Sequence, residues 1–122
     1  MVGKPQILYV QTSGVDTPER LYAPFILAKT AILMDIDATI YFLIKGVTVL
    51  QKGEAEKIKL GDFPTLKEVM DDAVKSGVKL LVCSQSCRLI GLEKENLTSD
   101  AKIVGAATLN DLVIESDGVL YF

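Results

Sequence analysis

The sequence of 122 residues contains no histidine and no tryptophan, and it has only two cysteines. The absence of histidine excludes Ser-His and Cys-His hydrolases and every metal site that depends on an imidazole ligand. Two cysteines are too few for the disulfide framework of a small secreted domain, so we expect a cytoplasmic, reducing location. Sulfur and carboxylate groups remain as the main candidates for chemistry.

Long apolar runs and an excess of basic charge are also missing. No apolar run reaches the roughly 18 residues that a membrane-spanning helix needs, and the N-terminal residues lack the pattern of a signal peptide. We therefore expect no membrane association. The net charge is −3, so nucleic acid is not an expected partner. Hydrophobic residues make up 49% of the chain, which is enough for one core.

Apolar, strand-like runs alternate with helical patterns along the chain. The predicted strands are residues 6–11, 38–44, 78–82, 102–104 and 118–122. The predicted helices run from about residue 17 to 34, from 65 to 77, from just after Cys83 to Gly91, and from near residue 108. This alternation predicts an α/β fold with three α/β/α layers and a mostly parallel five-stranded sheet. Residues 47–50 are ambiguous, and Pro24 indicates that the first helix either starts late or kinks.

Residues 78–91, VKLLVCSQSCRLIG, carry the strongest functional pattern. An apolar run ends at Cys83, small polar residues suited to a helix start follow, and Gly91 is a typical helix stop. A buried strand would thus bring the Cys83 thiol to the first turn of a helix, where unpaired N–H groups stabilise a thiolate. Cys83 is either a reactive thiol or a small buried hydrophobic side chain.

Cys87 follows Cys83 by four residues. On a helix the two Cβ atoms would lie about 5–6 Å apart, whereas a disulfide needs roughly 3.5–4.5 Å, so a permanent disulfide is not expected. The spacing also differs from the C-x-x-C redox motif, and two thiolates are too few ligands for zinc. Cys87 is either a secondary, resolving thiol or part of the core. The sequence indicates no metal and no cofactor.

Small and polar residues at the ends of two strands are predicted to line a pocket near Cys83, because function gathers at the carboxyl ends of parallel strands. They are Thr12, Ser13, Gly14, Ser84, Gln85 and Ser86. Turn chemistry favours an ordinary βα turn for the first three, and they lack the pattern of a phosphate-binding loop. Arg88 either adds positive charge near the thiol or is a solvated surface residue.

An ordered set of segments makes the chain resemble the DsrE/DsrF-like family, which includes TusD-like sulfur-relay subunits. The segments are TSGVDTPER followed by AKTAILMD, ATIYFLI followed by KGVTVLQKG, KSGVKLLVC with a glycine eight residues after the cysteine, and GAATLNDLVIESDGVLYF. The resemblance covers residues 1–122 as a single DsrE/F-like domain. It implies an α/β/α fold that assembles into oligomers, often trimers or hexamers.

The resemblance also implies a function for the strand-end cysteine, which is Cys83 here. It would carry sulfane sulfur as a persulfide or thiosulfonate and pass it to a partner thiol, as a sulfurtransferase-like carrier does; Cys87 lies outside the basic carrier pattern. The implied partners are further copies of the chain and a TusA-like or rhodanese-like sulfur donor or acceptor.

Two other hypotheses remain open from the sequence. One is a non-catalytic oligomeric scaffold or regulatory subunit with inert cysteines, because the high apolar content suits buried subunit contacts as well as a core. The other is a pocket for a small ligand or nucleotide at the strand ends, which rests on fold analogy alone.

Overall fold

The computed structural model describes residues 3–122, within which five strands alternate with four α-helices. The strands are β1 (Gln6–Gln11), β2 (Asp37–Phe42), β3 (Lys79–Cys83), β4 (Ala101–Val104) and β5 (Gly118–Tyr121). The helices are α1 (Tyr22–Leu33), α2 (Leu66–Ser76), α3 (Ser84–Ile90) and α4 (Ala106–Glu115). The strand order is β4-β3-β2-β1-β5, and every pairing is parallel. The predicted three-layer α/β/α fold is confirmed.

Side-chain alternation along the strands divides the core into two apolar clusters. On one face of the sheet, Tyr9 of β1 belongs to a large cluster that includes side chains of α1 and α2. On the other face, Leu8 and Val10 join Tyr41 and Cys83 in a smaller cluster, to which α4 contributes half-buried leucines. The thiol predicted to be reactive therefore lies on the α4 side of the sheet.

Helix α2 begins and ends at the residues that its sequence signals predict. The Thr65 hydroxyl oxygen accepts a hydrogen bond from the Glu68 N–H at 3.2 Å, and Gly77 ends the helix in a left-handed conformation with φ of 114°. The longest helix, α1, has 12 residues. None of the helices within the described range has the length and apolarity that a membrane crossing requires.

The first helix starts late, which is one of the two alternatives that Pro24 left open. Residues 18–20 form a separate 3₁₀ turn and α1 begins at Tyr22, so Pro24 lies in the first turn, where no intrahelical bond needs its missing N–H. Other predicted boundaries need correction. The ambiguous residues 47–50 belong to a 3₁₀ helix, Ile44–Leu50, and the preceding strand ends at Phe42. The last helix begins at Ala106, before the predicted start.

Candidate functional site

The Cys83 thiol lies where β3 passes directly into α3. Cys83 is the last residue of β3 and the N-cap of α3, with an extended backbone (φ −71°, ψ 120°) that suits both positions. Only 4% of the residue is exposed, so the thiol is buried. The sequence pattern predicts this strand-to-helix placement, and the chemical role of the thiol stays a prediction.

Several hydrogen-bond donors lower the pKa of the Cys83 thiol. Burial raises the pKa of the thiol, but the Ser86 hydroxyl, the backbone N–H groups of Ser86 and Gln85, and the Tyr41 hydroxyl outweigh it. The pKa of Cys83 is consequently lowered from its ordinary value. The side chain makes no capping hydrogen bond to α3 in the structure, and we expect these groups to donate to the sulfur once it is ionised.

The Ser86 hydroxyl is oriented by the backbone that follows β2. The Ile44 N–H donates a hydrogen bond to Ser86 Oγ at 2.7 Å. Because this bond uses an acceptor position on Oγ, the hydroxyl proton is free to point at the Cys83 sulfur. Ile44 has a φ of 58°, in the left-handed region that β-branched residues rarely adopt.

Tyr41 crosses the sheet above Cys83. Its hydroxyl donates to the Gly105 carbonyl oxygen at 3.1 Å, just beyond the end of β4. Because β3 lies between β2 and β4, and Tyr41 pairs with Leu81 two residues before Cys83, the phenol ring passes over the end of β3. Burial, together with the charge and hydrogen bond of Cys83, raises the pKa of the Tyr41 hydroxyl, which therefore keeps its proton.

Sequence analysis missed Tyr41 as a site residue. Its position in a nearly all-apolar strand predicts only core packing, and the pairing register of β2 with β3 is not visible in a single sequence. Side chains alternate between the two faces of a sheet. Once the pairing of β2 with β3 is known, this alternation places Tyr41, Leu81 and Cys83 on the same face.

Cys87 lies in a different environment from Cys83. Its side chain belongs to the larger apolar cluster, whereas that of Cys83 belongs to the smaller one, and both thiols are free. Burial and the charge of Cys83 raise the pKa of the Cys87 thiol, which disfavours its thiolate. Among residues 3–122, no group of three Cys, Asp or Glu side chains is placed to hold a metal ion.

The predicted pocket residues fall into two groups. Those of α3 lie beside the thiol, where Gln85 is exposed and Ser86 is buried. Those at the end of β1 are separated from β3 by β2. Thr12 bonds the last residue instead: its N–H and its hydroxyl donate to the Phe122 carbonyl oxygen at 2.7 and 2.8 Å.

The rest of the second group, Ser13 and Gly14, contacts residues other than Cys83. Ser13 Oγ accepts a hydrogen bond from Arg20, and Gly14 packs so closely on Lys45 that a Cβ would lie 2.5 Å from its carbonyl oxygen. Arg88 is exposed.

A groove of about 610 Å³ lies between α1 and α2, away from the thiol, and Phe63 is one of its lining residues. Its charged residues include Lys29 and Asp72, which form an ion pair. Neither Cys83 nor the donors that lower its pKa line this groove.

Comparisons with known proteins give a consistent result. The family model described as "DsrE/DsrF-like family" matches residues 6–122. The uncharacterized protein MJ0989 of Methanocaldococcus jannaschii is 34% identical over 107 residues, which cover 85% of this chain and 88% of that protein. The uncharacterized protein MJ0760 of the same organism is 32% identical over 103 residues, which cover 84% of this chain and 38% of that longer protein.

A solved structure shares the fold. The crystal structure of the ychN protein from E. coli superposes with a TM-score of 0.79, covering 98% of this chain and 100% of that chain. The sequence identity between the two is 16%, so this likeness shows the fold alone.

Proposed function

This chain belongs to the DsrE/DsrF-like family, and on that premise we propose that it is a small sulfur-relay protein that carries sulfane sulfur on Cys83. The sulfur would be held as a persulfide or thiosulfonate and passed to a partner thiol. The observation that carries the proposal is the position of Cys83 as the N-cap of α3, in the same buried cluster as Tyr41. Groups of Ser86, Gln85 and Tyr41 lower the pKa of the thiol there, which favours its thiolate.

The transfer follows ordinary thiol–disulfide chemistry. The Cys83 thiolate attacks the outer sulfur of a donor persulfide, a new S–S bond forms, and the donor leaves as its own thiolate. An acceptor thiolate then attacks the outer sulfur of the Cys83 persulfide, and Cys83 departs as a thiolate. A lowered pKa makes Cys83 a good leaving group, so the same donors assist release as well as capture.

Burial of Cys83 supports a second candidate, an oligomeric scaffold with inert cysteines. The two functions differ in the pH dependence of alkylation by iodoacetamide, measured on a Cys87→Ser variant that leaves Cys83 as the only thiol. The midpoint of that profile reports the pKa of the thiol, and its plateau reports access to the sulfur. The relay predicts a midpoint below the ordinary value of about 8.5. A midpoint at or above that value supports the scaffold.

Removing the Ser86 hydroxyl tests the donor arrangement. We expect Ser86→Ala to raise the midpoint for Cys83 by about one pH unit, because a hydrogen bond to a charged group contributes roughly that much to ionisation. Ser76→Ala is the matched control: it removes a helix hydroxyl that bonds Asp72 within α2. An unchanged midpoint in Ser86→Ala would contradict the role given to this hydroxyl.

We also propose that the chain forms a homo-oligomer, in line with the trimers or hexamers that the family resemblance implies. Support comes from α4, which is mostly apolar yet contains no buried residue, and from Ile114 on it, which is 82% exposed. Leu120 and Tyr121 of the neighbouring edge strand are exposed as well. Apolar surface of this kind is typical of a subunit contact. The proposed sulfur donor or acceptor is a TusA-like or rhodanese-like protein.

Charge placed on α4 should weaken the assembly. We expect Ile114→Glu to raise the dissociation constant at least roughly tenfold, because a buried isoleucine contributes about 1.5–3 kcal/mol at an interface. Sedimentation velocity over a concentration series measures this change. Leu33→Glu is the control, since Leu33 is 75% exposed at the end of α1. A monomeric wild-type chain, or equal dissociation by both variants, would contradict an α4 interface.

A further inference from the structure

The Tyr41 hydroxyl has one proton and two possible acceptors for it. A tyrosine hydroxyl has one proton to donate, and in the structure that proton goes to the Gly105 carbonyl oxygen at 3.1 Å. The ring that carries this hydroxyl packs in the same buried cluster as Cys83, whose position it crosses on the way from β2 to the end of β4. The hydroxyl also lowers the pKa of the Cys83 thiol as a hydrogen-bond donor, so the sulfur is its second acceptor.

The Gly105 carbonyl can give up this proton at little cost. The same oxygen accepts a second hydrogen bond, from the Thr108 N–H at 3.2 Å in the first turn of α4. When the Tyr41 hydroxyl turns away, the carbonyl remains bonded and no buried acceptor is left without a partner. An ionised sulfur is a stronger acceptor than a neutral carbonyl, because hydrogen bonds to charged groups are about twice as strong.

We propose that Tyr41 is a positioning residue for the sulfur carrier, turning its hydroxyl proton from Gly105 to the Cys83 sulfur whenever that sulfur is anionic. This inference rests on the proposed relay function and deepens it, because the same proton serves the thiolate before loading and after release. Tyr41 and Ser86 come from different elements, β2 and α3, so the two hydroxyls fix the sulfur in direction as well as in charge.

Tyr41→Phe tests this role because it removes the hydroxyl and keeps the ring. Alkylation of Cys83 is measured against pH in the Cys87→Ser background, and we expect the midpoint to rise by about one pH unit. Tyr9→Phe is the matched control: Tyr9 is also a buried strand tyrosine, and its hydroxyl donates to the Leu27 carbonyl oxygen on the other face of the sheet. The control is expected to keep the wild-type midpoint.

The outcomes separate this inference from the relay itself. If wild-type protein takes up sulfur but Tyr41→Phe leaves the midpoint unchanged, the positioning role is wrong and the relay stands. If the midpoint rises but wild-type protein takes up no sulfur, Tyr41 still donates to the Cys83 thiolate, and the relay is wrong.

A second measurement needs no substitution at Tyr41. In wild-type protein the ¹³Cζ resonance of Tyr41 should move at the midpoint of Cys83 ionisation, because the hydroxyl changes its acceptor there. In Cys83→Ser the resonance should stay constant over the same pH range. A Tyr41 resonance that does not respond to Cys83 ionisation in wild-type protein would overturn the proposal even if Tyr41→Phe does not fold.

Discussion

Cys83→Ser is expected to abolish sulfur uptake completely, whereas Cys87→Ser is expected to retain it. The Cys83 sulfur has donors that favour the thiolate, while the Cys87 thiol is buried among apolar side chains that disfavour it. Each protein is incubated with polysulfide or tetrathionate at neutral pH, and intact mass spectrometry then measures the added sulfur. A thiol reductant should remove the adduct and restore the original mass.

The order of loading decides which sulfur is the carrier. Below the ordinary pKa of a thiol, the first adduct on wild-type protein should map to Cys83, because its thiolate fraction is the higher of the two. Uptake by Cys83→Ser at the wild-type rate would make Cys87 the carrier. A wild-type protein that gains no reducible sulfur under any of these conditions is no relay, and an oligomeric scaffold remains.

The loaded protein also tests transfer. Incubation of the Cys83 adduct with a TusA-like acceptor thiol should move the sulfur atom to the acceptor and return this chain to its original mass. Fast transfer is expected only from an adduct on Cys83, since a thiolate that is favoured by its surroundings is also the better leaving group. An adduct that reductants remove but a protein thiol does not would indicate storage rather than relay.

The placement of Cys83 was predictable because all of its determinants are local. An apolar run, a change to small polar residues and a terminal glycine are adjacent in sequence, and they produce β3, the N-cap and the end of α3. The parallel sheet followed from the alternation of elements in the same way. These inferences need no knowledge of which strands are neighbours.

The donors from outside α3 were not predictable because they depend on neighbouring strands. Tyr41 reaches over Cys83 only because β2 pairs with β3 in one register, and Ile44 orients Ser86 only because the chain turns sharply after β2. The hydrogen bonds from Tyr41 to Gly105 and from Ile44 to Ser86 each join residues more than 40 positions apart in sequence. Sequence periodicity shows which face a residue prefers and not which residues lie opposite it.

Gly46, in the turn after β2, packs directly against the backbone at the end of β1. A Cβ at this position would lie 1.9 Å from the Gln11 carbonyl oxygen and 2.8 Å from the carbonyl carbon. That oxygen accepts a hydrogen bond from the Leu43 N–H at 3.0 Å, and the Gly46 N–H bonds the Leu43 carbonyl at 2.9 Å. The end of β1 and the turn after β2 are therefore in direct backbone contact.

Gly46→Ala is accordingly expected to destabilise the protein by about 3 kcal/mol or more, measured by urea unfolding, because the added methyl group clashes with backbone rather than with a flexible side chain. Gly118→Ala is the control: the nearest atom to its Cβ would be Ile7 Cγ1 at 3.9 Å, so we expect a change within about 0.5 kcal/mol. Equal unfolding midpoints for Gly46→Ala and wild type would contradict this close packing.

The same substitution should also disturb the thiol if enough of the variant folds. Moving the turn after β2 displaces Ile44, whose N–H holds the Ser86 hydroxyl in place at 2.7 Å. The iodoacetamide midpoint of Cys83 should then rise in Gly46→Ala, as we expect it to rise in Ser86→Ala, although Gly46 is not one of the donors to the sulfur. A destabilised variant with an unchanged midpoint would show that Ser86 keeps its orientation without this turn. Since Ile44 is the backbone donor that bonds Ser86 Oγ, we expect loss of stability and loss of thiolate character to occur together.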